Sequence, residues 1–454
     1  MAGQVWSQTN PAQPQPAVSG ASPQEAPSQA GPSEDQNIVS SNDRMMTPPP
    51  VSGQSYPAEP ASQERSNYLR GGVAFTSAYT DNALGSLNGT PVSDISYSVA
   101  PMISLDETTS RVHWLVSYAP GFTFYQRFSS RNEADQNASI DFEYRLSPHV
   151  TLTARDGFQK SSSVFNQANP ATSGPVSGGV DNPNLSVIAP IADRLSNGGN
   201  VGLTYQFGRN SLVGASGSFS NLHYPDPSQV PGLFDSSAQS GLAFYSWRIS
   251  NVNYFGATYQ YQRLVSYPVS GLNETQTHAL FLFYTLQASR RVSVSIFAGP
   301  QYSDTVAAPQ FQVPPTHAWT PAGGASLGWQ AHLTSFALSY AHEVSSGGGL
   351  IGAVRADSAS ASVQQQIARR LFAGISGSYA KNNVLGGNVP GLSNGHSIAA
   401  NANVRQQFGE HFSVLLGYTR LHQSYSNIPV LALTPDTNRE FISLSYQFSK
   451  ALGR

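Results

Sequence analysis

The sequence predicts an all-β protein, a transmembrane antiparallel up-and-down β-barrel of about 18 strands behind a disordered N-terminal segment. Three observations predict it. Apolar and small polar residues alternate with period two over most of the chain. The connections between the alternating segments are by turns short and long. Charged residues are too sparse to wet an ordinary soluble surface.

Charged residues make up 11% of the 454 residues, less than half the share usual for a soluble globular domain. Aromatic residues also reach 11%, and polarity comes from Ser, Thr, Gln and Asn. Much of the outer surface should therefore face something other than water. No stretch of 18 or more apolar residues occurs, so no single helix is long enough to cross a membrane. One of the longest apolar runs covers only residues 279–284. Main-chain polar groups cannot stay unpaired in hydrocarbon, which leaves a closed barrel as the spanning structure. The absence of cysteine excludes a disulfide scaffold and thiolate metal sites. A net charge of −2 argues against a nucleic-acid partner, which needs clustered Lys and Arg. The first residues have neither a basic n-region nor an apolar h-region, so an export signal is expected to have been removed, with Met1 added, or to lie upstream.

Two regions are expected. Residues 1–66 are rich in Pro, Gln, Ser and Ala and bury too little apolar surface to offset chain entropy; they read as a disordered segment, a periplasmic tether or a dispensable tail. Residues 67–454 carry the alternation. Ile95, Tyr97 and Val99 alternate with Ser96 and Ser98; Val112, Trp114, Val116 and Tyr118 with His113 and Ser117; Ile140, Phe142 and Tyr144 with Asp141, Glu143 and Arg145. The pattern returns at Val201–Leu203–Tyr205–Phe207, Val292–Val294–Ile296, Ile398–Ala400–Ala402–Val404 and Ile442–Leu444–Tyr446–Phe448. A helix would space its apolar residues by three and four.

Short turns are expected near 106–108, 147–149, 208–210, 250–251, 288–290, 330–332, 368–370 and 409–411. Longer loops fall at 80–92, 128–137, 160–198, 222–238, 265–274, 304–317, 344–353, 381–394 and 423–437. Short and long in strict alternation is what two unlike rims require, with both chain ends on the short-turn side. A hairpin unit of about 40 residues recurs, which also suggests a propeller. Turns sorted into two length classes, and strands apolar on one face only, favour the barrel.

The last strand, residues 441–448 (Phe-Ile-Ser-Leu-Ser-Tyr-Gln-Phe), resembles the C-terminal strand of bacterial outer-membrane proteins. That resemblance implies an outer-membrane location and an assembly signal at Tyr446 and Phe448 read by the barrel-assembly machinery. Residues 449–454 follow the aromatic where the usual signal ends. The hairpin repeat over residues 68–448 resembles uncharacterised outer-membrane barrels, including some that accompany exopolysaccharide gene sets. The resemblance implies outer-membrane lipid and lipopolysaccharide as surroundings, and a polar solute or a polysaccharide as cargo.

No catalytic, cofactor or metal constellation stands out. The ten histidines are scattered without metal-ligand spacing, and there is no phosphate-binding loop. Gly-x-Ser-x-Gly occurs at 324–328, within a predicted strand, and at 391–395, in or beside a loop; neither leads into a helix, so chance explains both. A lipid-facing His/Ser pair would suggest a phospholipase, and His113 and Ser117 share one strand face. A Ser-rich barrel offers many such pairs.

The polar face is mostly small. Its charged exceptions are Asp141, Glu143, Arg145, Arg155, Arg248, Arg405 and Arg439, candidate lumen-lining groups that either set a transverse field across a constriction or brace the wall as ion pairs. Trp114, Tyr118, Trp247, Tyr302, Trp319, Tyr379, Tyr418 and Tyr446 lie near strand ends, most of those with clear phase on the apolar face, and read as interface girdles. Loop 160–198, with Val176 and an apolar patch at 187–191, is the candidate for an element folded into the channel. Together these readings give a porin-like outer-membrane channel without enzymatic chemistry. A polysaccharide-export barrel and a plugged adhesin barrel are the alternatives.

Overall fold

A computed structural model describes residues 67–83, 90–163, 165, 191–230, 232–268, 271–289, 291–306, 316–385, 394–426 and 436–452. The segment 1–66 lies outside them. The strands are β1 (Tyr68–Thr80), β2 (Asp94–Thr108), β3 (Val112–Tyr118), β4 (Gly121–Tyr125), β5 (Glu133–Arg145), β6 (Val150–Ser163), β7 (Ile191–Gly208), β8 (Ser211–His223), β9 (Asp235–Ser250) and β10 (Asn253–Tyr267). They continue with β11 (Asn273–Ser289), β12 (Val292–Val306), β13 (Thr316–Gln330), β14 (Thr334–Ser346), β15 (Ala353–Ala368), β16 (Leu371–Val384), β17 (Gly395–Phe408), β18 (Phe412–Tyr425) and β19 (Asp436–Ala451).

Every pairing between these strands is antiparallel, and β1 pairs with both β2 and β19, so the sheet closes without an edge. The closing seam runs from Tyr68↔Ala451 to Thr80↔Arg439. It includes Ser449, Lys450 and Ala451, so the first half of the tail beyond Phe448 belongs to the last strand. β3 and β4 share one place in the ring, since both pair with β2 and β5. Nineteen strands therefore fill eighteen places. The break between β3 and β4 falls at Pro120, which has no N–H to give the ladder. Asn137 spans it, accepting from the Ala119 amide through its carbonyl at 2.8 Å and donating from Nδ2 to the Ala119 carbonyl at 3.3 Å.

Short and long connections alternate as the sequence implies, with turns within a few residues of the predicted positions. Several boundaries need correction; β5 begins at Glu133 and β9 at Asp235, inside the expected loops 128–137 and 222–238. The first short turn is 109–111, because β2 extends to Thr108. The expected loop 160–198 shrinks to 164–190, because Lys160↔Leu195 and Ser161↔Arg194 continue the β6–β7 ladder. Ser, Asn and Gly at strand tips look like loop in composition, yet their backbone still pairs.

The two faces of the sheet differ in chemistry. Phe75, Ile103, Val201, Leu282, Ile375, Leu416 and Leu444 stand on the outside with about half to two-thirds of their surface bare. On β17 the apolar outer residues run from Ile398 to Phe408, and that length of tilted strand rises roughly 25 Å, the height of a hydrocarbon band. The inner face pairs hydroxyls directly across the ladder: Thr76–Ser443 at 2.8 Å, Ser117–Ser139 and Ser218–Ser240 at 2.6 Å, Ser339–Ser360 and Ser413–Ser445 at 2.7 Å. Cross-strand hydroxyl pairs of this kind stabilise a sheet by a few tenths of a kcal/mol to about 1 kcal/mol each.

Glycines on the ladder face aromatic rings. Gly214 opposes Phe244, Gly256 opposes Phe283, Gly324 opposes Phe297 and Gly417 opposes Phe441 on the inner face; Gly71 opposes Phe448 and Gly199 opposes Phe219 on the outer. A Cβ on any of them would lie 2.2–2.7 Å from the opposing ring. Each ring therefore lies flat over its glycine, along the wall.

Gly256→Ala would put a methyl 2.2 Å from the Tyr245 carbonyl oxygen and 2.3 Å from the Phe283 ring. The expected cost is about 1–3 kcal/mol, read as a lower urea midpoint for loss of the compact, heat-modifiable band on gels. Gly241→Ala, with nothing within 4 Å, should leave that midpoint unchanged.

Candidate functional site

The inner wall divides into chemically distinct arcs. Over β1–β6 it is charged. Asp141 and Arg155 are directly opposed across the β5–β6 ladder, 2.8 Å apart, and Arg145 Nε lies 3.1 Å from Glu143. The same arc carries a group that the sequence reading passed over: Asp106 accepts from Arg70 at 3.3 Å and meets His113 Nε2 at 3.1 Å. The only signal for it was phase, since Arg70, Asp106 and His113 share the polar face of strands that end nearby. Each of these charges is met by a neighbour along the wall.

The other three expected lumen charges have different surroundings. Arg248 is on the inner face, but its guanidinium donates to the Asn210 side-chain oxygen at 3.1 Å and the Arg209 carbonyl at 2.6 Å, holding the 209–210 turn. Arg405 lies 5.2 Å above the Phe372 ring, directly opposite on β16. Arg439 lies 5.2 Å above Phe165 and 5.9 Å above Phe441. Phe165 follows β6, five of the eighteen places round the ring from β19, so this contact joins two strands that do not pair. The rest of the loop expected to enter the channel, with Val176 and the patch 187–191, lies outside the described residues apart from the start of β7.

Over β8–β13 the inner wall carries an apolar patch set among polar side chains such as Thr258, Gln260, Thr285 and Ser295, where the sequence reading expected small polar residues alone. Leu212, Leu242, Phe244, Tyr254, Phe281 and Phe283 form one cluster, with Phe297 packed against it. The apolar run at 279–284 has its explanation here: Phe281 and Phe283 face inward while Leu280 and Leu282 face outward. Phe281 and Phe297 meet edge to face at 5.4 Å.

Above this wall the mouth is bridged. The β14–β15 connection, 347–352, meets the β8–β9 connection, 224–234, five places away round the ring. The Tyr224 hydroxyl donates to the Gly348 carbonyl at 2.8 Å, and the Phe234 amide donates to the Gly349 carbonyl at 2.9 Å. Gly348 and Gly349 take φ of +72° and +92°, the left-handed region that favours glycine, and a Cβ on Gly349 would lie 2.5 Å from the Tyr224 ring. Leu350 packs on two clusters at once. One holds Ala192, Leu222, Tyr224, Val230 and Leu233; the other holds Ile351, Val354, Ala356 and Tyr425. Burial pushes the Tyr224 phenol up to about 12, so it remains a donor at any physiological pH. The glycine run 347–349 was the available sequence signal, and nothing in it names the partner loop.

The aromatic residues expected at the interfaces all stand on the outer face. Trp114, Trp247 and Tyr446 sit toward the short-turn rim, and Tyr118, Tyr302, Trp319, Tyr379 and Tyr418 toward the long-loop rim. Phe448 lies over Gly71 on that same face. His113 and Ser117 face the interior, bonded to Asp106 and Ser139, so they do not form the lipid-facing pair that a phospholipase would need. Gly324–Gly328 runs within β13, without the turn into a helix that a nucleophile requires.

Tyr224→Phe removes one buried hydrogen bond from the bridge, worth about 1 kcal/mol. Amide exchange at Phe234 and over 347–352 should quicken, with exchange in the strands unchanged.

No protein-family model and no curated protein matches the sequence. Several solved structures are similar to it. Pseudomonas aeruginosa OpdQ is 12% identical with a TM-score of 0.44, over 84% of this chain and 98% of that one. Acinetobacter baumannii OccAB4 is 8% identical with a TM-score of 0.43, over 86% and 99%. The outer membrane protein opdK of Pseudomonas aeruginosa is 10% identical with a TM-score of 0.42, over 84% and 99%.

Proposed function

We propose that the protein is a bacterial outer-membrane channel through which small polar solutes diffuse, with no chemistry performed on them. One observation carries the reading: a ring without an edge, apolar outside and lined inside by paired hydroxyls and ion pairs. Such a wall is stable only with hydrocarbon on one side and water on the other. The bridge across the mouth favours small solutes over a polysaccharide, which would need a bore free of crossing chain. The apolar patch on an inner wall that elsewhere carries ion pairs suits solutes that combine a polar group with an apolar body.

Refolded protein in a planar bilayer should show steps of ionic conductance; a silent, fully inserted barrel would indicate a plugged lumen and overturn the channel reading. Arg155→Ala leaves Asp141 without its cation on the inner wall and should move the reversal potential toward cation selectivity. Asp141→Asn should move it the opposite way.

A further inference from the structure

One stretch of the wall is paired on a single side. The β13–β14 ladder runs from Gln330↔Ser335 up to Gly323↔His342 and stops there. Both strands go on toward the long-loop rim. Residues 316–322 of β13 continue along β12, from Ala322↔Gly299 to Thr316↔Thr305. Residues 343–346 of β14 continue along β15, from Glu343↔Ala356 to Ser346↔Ala353. Across the line between β13 and β14, neither stretch has a ladder partner among the described residues. Those four residues of β14, extended, make an opening roughly 13 Å tall.

Sequence and packing explain why the strands part here. Pro300 and Pro321 are directly opposed across β12 and β13. Neither can donate to the other, and such a pair is tolerated where both nitrogens face away from it. Pro300 then faces β11, where the register passes over Leu280 and Phe281 and resumes at Leu282↔Ala298. Pro321 faces β14, where the continued register would set Val344, and there the ladder does not resume. Just beyond, residues 347–352 turn to Tyr224 and Phe234, so the tip of β14 is committed to the bridge across the mouth.

Apolar surface meets the opening from both sides. Inside, the patch around Phe281 and Phe283 ends at Ala322, with Phe297 lying over Gly324 beside the last ladder pair. Outside stand Trp319, 71% exposed, and, below the opening on β14, Tyr340 and Leu338. Main chain without partners is costly in hydrocarbon and persists where water from an interior cavity reaches it. The opening therefore joins the wet interior, its apolar patch and the outer leaflet at one height.

We propose that the opening between β13 and β14 is a lateral portal, by which solutes with one polar group on an apolar body pass from the inner patch into the outer leaflet. The inference rests on the channel reading above. Thiols can be placed singly because the chain has no cysteine. Thr320→Cys and Ser345→Cys, inner-face positions that the continued register sets opposite each other, are joined across the opening by a bifunctional maleimide. Gln330→Cys and Ser335→Cys, already paired in the ladder, receive the same reagent. The full-length variants are expressed in porin-deficient Gram-negative cells, and entry of N-phenyl-1-naphthylamine, an aryl amine that fluoresces in lipid, is followed. Ionic conductance of the same purified variants is recorded in planar bilayers. Dye entry should exceed that of cells without the protein. Linking 320 to 345 should return it to that background while conductance persists; linking 330 to 335 should change neither. Pro321→Val, which restores the missing N–H, should lower dye entry part way. Dye entry untouched by both the 320–345 link and Pro321→Val overturns the portal, as does a conducting protein that admits no dye. Amide exchange over 343–346 as slow as over 335–342 would show a complete ladder and overturn it too. A protein that forms the barrel yet passes no current would instead overturn the channel reading.

Discussion

Main-chain amides in hydrocarbon must find partners within the protein, and from that requirement most of this architecture follows. A sheet meets it only by closing, and here closure depends on the β1–β19 seam, which joins residues more than 350 positions apart in the chain. Where the ladder breaks between β3 and β4, at Pro120, the main-chain carbonyl and the side-chain amide of Asn137 both bond Ala119 and the ring still closes. Where cross-strand side chains would collide, glycine stands opposite an aromatic ring. Closure therefore constrains composition as well as topology.

Once the ring is closed, each strand has one face for lipid and one for the interior, and the two must solve opposite problems. The outer face presents bare aliphatic and aromatic side chains, with tyrosines and then charges toward the long-loop rim. The inner face has to satisfy its own polar groups, and does so in neighbouring pairs: hydroxyl with hydroxyl, Asp141 with Arg155, Glu143 with Arg145. The cluster around Phe281 departs from that rule and sets an apolar patch on the β8–β13 wall, away from the ion pairs of β1–β6. Above it, the Tyr224–Gly348 contact joins two loops whose strands do not pair, five places apart in the ring.

Much of the fold was legible in the chain because a period of two survives wherever the two faces meet different media. The alternation at 95–99, 112–118 and 442–448 is the barrel wall read directly, and the alternation of turn lengths is its two rims. Reading failed where that contrast fades. Near the tips of β6 and β7 both faces are polar, so paired strand looked like loop. At 279–284 both faces are apolar, so the inward Phe281 and Phe283 could not be separated from the outward leucines. The candidate site was legible only in part. The phase of Asp141, Glu143, Arg145 and Arg155 placed them inside, but which charge met which neighbour depended on register between strands.

By itself the sequence determined the closed antiparallel barrel, its approximate strand number, the sidedness of its rims and the face on which the aromatic residues stand, because these follow from a local repeat and from the demand for paired amides. Only the tertiary structure decided that Arg248 serves a turn, that Arg439 meets Phe165 from five places round the ring, and that 347–352 crosses the mouth to reach Tyr224. Those contacts join places far apart in the chain, and no local periodicity encodes the distance between them once the ring has closed.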